Sequence, residues 1–383
     1  MNAAQSRRDI LKAGGMGLGA LAFPMINSAQ FTAFASTPDR KYSRRTMDLM
    51  KESIVIDMLD TLSLGSTNAI SSDHLTPELV TLFRSSGITA FHNSRTTWRA
   101  VEQAPLDALE WFARWNGFVG RNSDMFTIVC RGSDIPTAKA KGKIAIIMGL
   151  QNSNHFQKVE DVRTFYEIGQ RVSQLTYNTQ NLIGSGSTDR IDGGLSDYGA
   201  TVVNAMNDVG MMVDVSHSGD RTTLDAIEQS KKPIAFTHSN CRALNDHPRA
   251  KTDEAIRKLA AKGGVMGITG VKPFVSSKEN VSVYDVVDQI DHVAKLVGIE
   301  HVGIGTDADL WGHDSVTPEI AKLVRSRYKA SYKLGDHIDI DDFKGPSKMF
   351  DLTEALVQRR YSDAHIRLIL GQNFERLGLD IWI

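Results

Sequence analysis

Two histidines stand in matching settings along this chain, His217 in "VDVSHSG" and His238 in "AFTHSN". Each closes a short apolar run, and the two lie 21 positions apart. Neutral imidazole is a favoured ligand of Zn²⁺, and imidazoles at adjacent strand ends can share one ion. Asp307, in "HVGIGTDADLWG", closes another such run, with Asp309 as the alternative carboxylate. A carboxylate there suits metal ligation or general-base work on water. Arg249, in "HPRAKTDE", carries the planar fork that holds a carboxylate bidentately, a surface salt bridge being its plainer reading. Cys241, three residues past His238, is a softer alternative ligand. Asp57, Asp60, His92, Gln151 and Tyr177 sit at the ends of further apolar runs.

These residues need a scaffold that brings strand ends to one place. Eight candidate strands cover 53–57, 88–92, 143–149, 172–177, 211–217, 233–238, 264–270 and 301–307, and 125–132 is a further candidate. Each is short, rich in Ile, Val, Met or Phe, and bounded by Gly, Pro or polar residues. Helix-patterned stretches such as "TTLDAIEQS", "TDEAIRKLAAK" and "DVVDQIDHVAKLVG" lie between them. Continuous apolar strands alternating with helices predict a parallel sheet covered on both faces. About eight such units predict a single-domain (β/α)₈ barrel over 36–383, with its chemistry at the C-terminal strand ends. The first strand is not followed by Gly-x-Gly-x-x-Gly, which argues against a dinucleotide fold.

The net charge of −1 offers no general attraction for nucleic acid or acidic membranes. Residues 1–35 carry Arg7 and Arg8 ahead of a Gly- and Ala-rich apolar run. That pattern is a twin-arginine export signal, with Ala33-Phe34-Ala35 as the cleavage site. Export by that machinery predicts a periplasmic protein with no stable membrane insertion after signal removal. Cys130 and Cys241 are the only cysteines, and either one bridge or two reduced thiols is compatible with them.

The run from Gly210 to Gly270, "GMMVDVSHSGDRTTLDAIEQSKKPIAFTHSNCRALNDHPRAKTDEAIRKLAAKGGVMGITG", resembles the membrane (renal-type) dipeptidase family, the M19 metallopeptidases. "HVGIGTDADL" and "YSDAHIRLILGQNFERL" resemble that family's eighth-strand element and closing helix, and the likeness covers most of 50–380. The resemblance implies a barrel that hydrolyses dipeptides with two zinc ions bridged by a glutamate. One zinc is held by two histidines, here His217 and His238; the other is held by a His-x-Asp on the first strand. It also implies Asp307 as the catalytic carboxylate and Arg249 as holder of the substrate carboxylate. Tyr177 stands where the family has a histidine that polarises the scissile carbonyl.

Three departures accompany the likeness. The first strand reads Asp57-Met58-Leu59-Asp60, the bridging position is Gln151, and the carbonyl-polarising position is Tyr177. A neutral amide cannot offset the repulsion between two dications, and Met and Leu are poor substitutes for imidazole. The expectation is therefore one Zn²⁺, with two as the alternative, held by His217, His238, Gln151 and Asp60. Asp307 and Tyr177 would be catalytic, and Arg249, Asn178 and Asn152 would bind a small carboxylate-bearing amide such as a dipeptide. The resemblance also suggests a homodimer. Two other readings stay open: non-peptidase chemistry on the same barrel (elimination, isomerisation or tailoring of an exported peptide product), and a non-catalytic ligand-binding barrel.

Overall fold

The computed structural model describes residues 41–60, 75–96, 101–308 and 310–383. The expected export signal and Asp309 lie outside these residues. Nine strands form one sheet: β1 (Ile56–Asp60), β2 (Ala90–Arg95), β3 (Phe126–Ile128), β4 (Ile144–Leu150), β5 (Gln170–Gln174), β6 (Met212–Asp214), β7 (Ala235–Ser239), β8 (Val265–Ile268) and β9 (Val302–Ile304). Their order is β1-β2-β4-β5-β6-β7-β8-β9, and β3 pairs only with β4, off the ring. All pairings are parallel. The ends of the sheet meet where the Asp307 N–H donates to the Leu59 carbonyl at 2.9 Å and the Thr306 N–H to Asp57 Oδ1 at 2.8 Å. The fold is the eight-stranded (β/α)₈ barrel that the strand–helix alternation implies.

Side chains alternate across each strand, which sorts the apolar residues into two packed layers. Ile56, Met58, Ala90, Ala145, Ile147, Val172, Met212, Ala235 and Val265 pack together as the barrel's filling. Phe374, Leu377 and Ile381 from the C-terminal helix Asn373–Ile381, with Trp382 just past its end, join that cluster. A larger cluster, with Phe91, Ile146, Met148, Val213, Phe236 and Ile304, packs between the strands and the outer helices. The strand bodies are thus committed to packing, which leaves the C-terminal ends for polar work.

Strand boundaries differ from the expected ones most at β1, which runs 56–60 rather than 53–57. Its pairing with β2 shifts register between Asp57 and Asp60. Such an irregularity re-aims side chains next to a site. Cys130 is exposed and Cys241 buried, and both are free thiols, so the bridge weighed from the sequence is not formed.

Candidate active site

His217 and His238 come together at the ends of β6 and β7, with their Nε2 atoms 2.9 Å apart and both rings buried. What lies behind each ring fixes its tautomer. His217 Nδ1 is 2.7 Å from Asn178 Oδ1, an oxygen that only accepts, so Nδ1 carries the proton. His238 Nδ1 is 2.8 Å from Thr237 Oγ1, whose own proton goes to Asp214 Oδ2 at 2.7 Å. The hydroxyl must therefore accept from His238, and Nδ1 again carries the proton. Both Nε2 atoms then face each other with bare lone pairs. Burial first, and then the charge of Arg249, hold both histidines well below the usual imidazole range, so a shared proton is disfavoured. Two bare imidazole nitrogens with their far sides anchored are a ready pair of metal ligands.

The backbone around the pair is clamped by buried cations and an acid. Asp214 Oδ1 accepts from the Ser216 N–H at 2.9 Å and the Thr237 N–H at 3.1 Å, tying the two histidine segments together. Lys251 donates to the carbonyls of Val215 at 2.7 Å and Ser218 at 3.0 Å. Arg249, only 1% exposed, donates to the carbonyls of Ser216 and His238. Its Nε has no partner and no carboxylate pairs with it among the described residues. A buried guanidinium served only by neutral carbonyls is a strong attractor for an anion.

Asp307 closes the ring from the β9 side. Its backbone sits at φ 57°, in the left-handed region, held by the Leu59 hydrogen bond and by His313, which reaches its carbonyl. Burial pushes its carboxyl up to about 6, with His313 and Arg249 pulling the other way. A carboxylate poised there suits a general base near neutral pH. The Tyr177 ring lies flat on His217 at 4.1 Å between centroids, and its hydroxyl meets that of Tyr328 at 3.0 Å. Burial raises the Tyr177 hydroxyl well above the usual phenol range, so it stays protonated. Tyr328 and Tyr332 stack on each other at 4.7 Å beside it.

Several expected roles meet different surroundings. Asp60 does not turn to the histidines: its carboxylate is paired with Lys348 at 3.3 Å. Asn178 orients His217 instead of standing free for substrate. Asn152 Oδ1 accepts from Asn181 Nδ2 at 2.9 Å and from the Asn154 N–H at 3.3 Å, so it braces its own loop. Gln151 is buried at the end of β4, where its backbone carbonyl accepts from Gln174 Nε2 at 2.5 Å and its side-chain amide stays available. Cys241 turns to Gln289, and burial raises its thiol, so it is no ligand to the pair. His92 donates Nδ1 to the Met58 carbonyl at 2.8 Å, which leaves a buried Nε2 without a partner. Among the described residues, no group of three or more His, Cys, Asp or Glu side chains converges on one point. Among the described residues, His217 and His238, with their facing Nε2 atoms, are the pair whose chemistry fits a metal ion.

A (β/α)₈ barrel with paired histidines, an elevated aspartate and a buried arginine at its mouth defines a metallohydrolase-type site. The model of the membrane dipeptidase family (Peptidase family M19) matches residues 43–321, and the chain belongs to that family. It is 35% identical over 195 residues to dipeptidase verJ of Clonostachys rogersoniana, covering 50% of each chain. It is 28% identical over 260 residues to dipeptidase tcpJ of Claviceps purpurea, covering 67% of this chain and 55% of that one. The chain thus spans about half the length of the curated relatives it matches. Among solved structures, an amidohydrolase from Pseudomonas aeruginosa superposes with a TM-score of 0.76 at 30% identity, over 88% of this chain and 99% of that one.

Proposed function

We propose that this protein is a periplasmic, single-metal hydrolase that cleaves a small amide bearing a free carboxylate, of the dipeptide type. The observation that carries the reading is the pair of bare, buried Nε2 atoms on His217 and His238, each held in its tautomer from behind. A Zn²⁺ ion held there would polarise the scissile carbonyl and acidify water. Arg249 would hold the substrate carboxylate through its unpartnered edge. Asp307 would take a proton from the attacking water and pass it to the leaving amine, as its raised carboxyl allows. The Tyr177 hydroxyl would donate toward the developing oxyanion. Belonging to a family named for dipeptidases, with relatives that carry that name, supports the substrate class. The Arg7-Arg8 leader supports the location.

The test joins metal analysis to a substrate panel. Purified protein should hold one equivalent of zinc, lose turnover of L,L- or L,D-dipeptides on chelation, and lose both metal and turnover in His217→Ala. Two tight equivalents would remove the single-metal version. A folded, zinc-loaded protein inert toward the whole panel would move the reading to non-peptidase chemistry on the same barrel.

A further inference from the structure

Beside Asp307 the mouth holds a second charged cluster for which the hydrolytic reading has no task. Asp57 and Asp60 of β1 are both buried, and buried carboxylates demand a cation. That cation is Lys348, fully buried in the first turn of the helix Lys348–Gln358. Its Nζ lies 2.9 Å from Asp57 Oδ2 and 3.3 Å from Asp60 Oδ2. It also lies 2.9 Å from Thr306 Oγ1 and donates to the Ala308 carbonyl. The Thr306 proton is spent on Asp57 Oδ2 at 2.6 Å, so its oxygen faces the ammonium as an acceptor.

Two carboxylates, a hydroxyl and a carbonyl therefore converge on one nitrogen. An ammonium has three protons to give, and four oxygens surround it. Oxygen donors of this mixture are what a hard metal cation takes, and such a cation would engage all of them. Burial disfavours the charged form, yet the two aspartates outweigh it and hold Lys348 above the usual lysine range.

We propose that Lys348 is a built-in substitute for a metal ion: its ammonium occupies a cation cage formed by Asp57, Asp60, Thr306 and Ala308 at the corner where β1 meets β9. The inference goes beyond the single-metal reading above, because it names what the first-strand carboxylates hold in place of an ion. It also follows that the cage is latent and that removing the lysine side chain opens it to a divalent cation.

The experiment counts metal in the full chain. Wild type, Lys348→Ala and Lys348→Ala/Asp60→Asn are equilibrated with Mn²⁺ or Zn²⁺, desalted and assayed by elemental mass spectrometry, with thermal melts in chelator and in each metal. Lys348→Ala should bind one equivalent more than wild type, and the double variant should lose most of that gain. If Lys348→Ala is unfolded in chelator, millimolar Mn²⁺ should restore a cooperative melt. A folded Lys348→Ala with the wild-type metal count would overturn the proposal, as would a variant that neither chelator nor metal allows to fold. The readout is a difference between variants, so it survives if the histidine site proves empty or the dipeptide panel proves inert. Those results would touch the hydrolase reading alone.

Discussion

Replacing Asp307 by Asn removes one charge from a position where burial opposes it, and the consequence for stability can be worked out. The Asp307 carboxyl is pushed from an ordinary 3.8 up to about 6 in the folded chain. Two pKa units correspond to about 3 kcal/mol, and the side chain's residual exposure reduces this to about 2 kcal/mol. The folded state holds the proton more tightly than the unfolded state. The native fold is therefore best served below about pH 4, loses this contribution as pH rises from about 4 to about 6, and stays at the lower level above that. Asn resembles the neutral acid at every pH. Asp307→Asn should then be more stable than wild type by about 2 kcal/mol at pH 7.5 and by less than about 1 kcal/mol at pH 4.5. Turnover should meanwhile fall by about 10²–10⁴, the usual loss of a general base. Urea unfolding of both proteins in chelator, at the two pH values, measures the difference directly. A stability difference that does not change with pH, or a variant less stable than wild type at pH 7.5, would refute the reasoning.

Other changes read other parts of the site. Arg249→Met should cut the preference for a free-carboxylate substrate over its amidated analogue by about 10–100-fold, the worth of a charged hydrogen bond. The ratio of the two kcat/KM values checks this, because damage to the neighbouring carbonyl contacts affects both substrates alike; an unchanged ratio would exclude Arg249 as the anchor. Thr237→Val removes the group that sets the His238 tautomer, so zinc affinity in a chelator competition should drop about 10–100-fold with the fold retained. In wild type, kcat/KM should fall about tenfold per pH unit below about pH 6, following Asp307. An acid limb with the same midpoint in Asp307→Asn would assign it to another group.

The barrel was legible because its strands are uninterrupted apolar runs with polar ends, a pattern that parallel packing requires. His217, His238 and Asp307 were legible for the same reason, being polar residues at the ends of such runs. The limits of β1 were less so, because a strand's end is set by its neighbour's register, and that register slips between Asp57 and Asp60. Lys348 was not legible at all. It sits in the polar run "FKGPSKMFD", and its contact with Asp60 spans 288 positions. A signal did exist in the two acids on an apolar strand, which could not be buried without a cation. Asn178 was read as a substrate amide because its type suits both jobs, and only the 2.7 Å contact with His217 separates them.

The hydrogen bond from Thr306 to Asp57 joins residues 249 positions apart, while the two histidines meet across 21. Contacts between distant positions carry a larger loop-closure cost and tend to form later. On that ground the imidazole pair, carried by the neighbouring strands β6 and β7, has the shorter loop to close, and the Asp307 corner, where β9 meets β1, has the longer one. The two halves of the site therefore lean on the fold differently: the histidines on the pairing of two neighbouring strands, Asp307 on the closure of the whole ring.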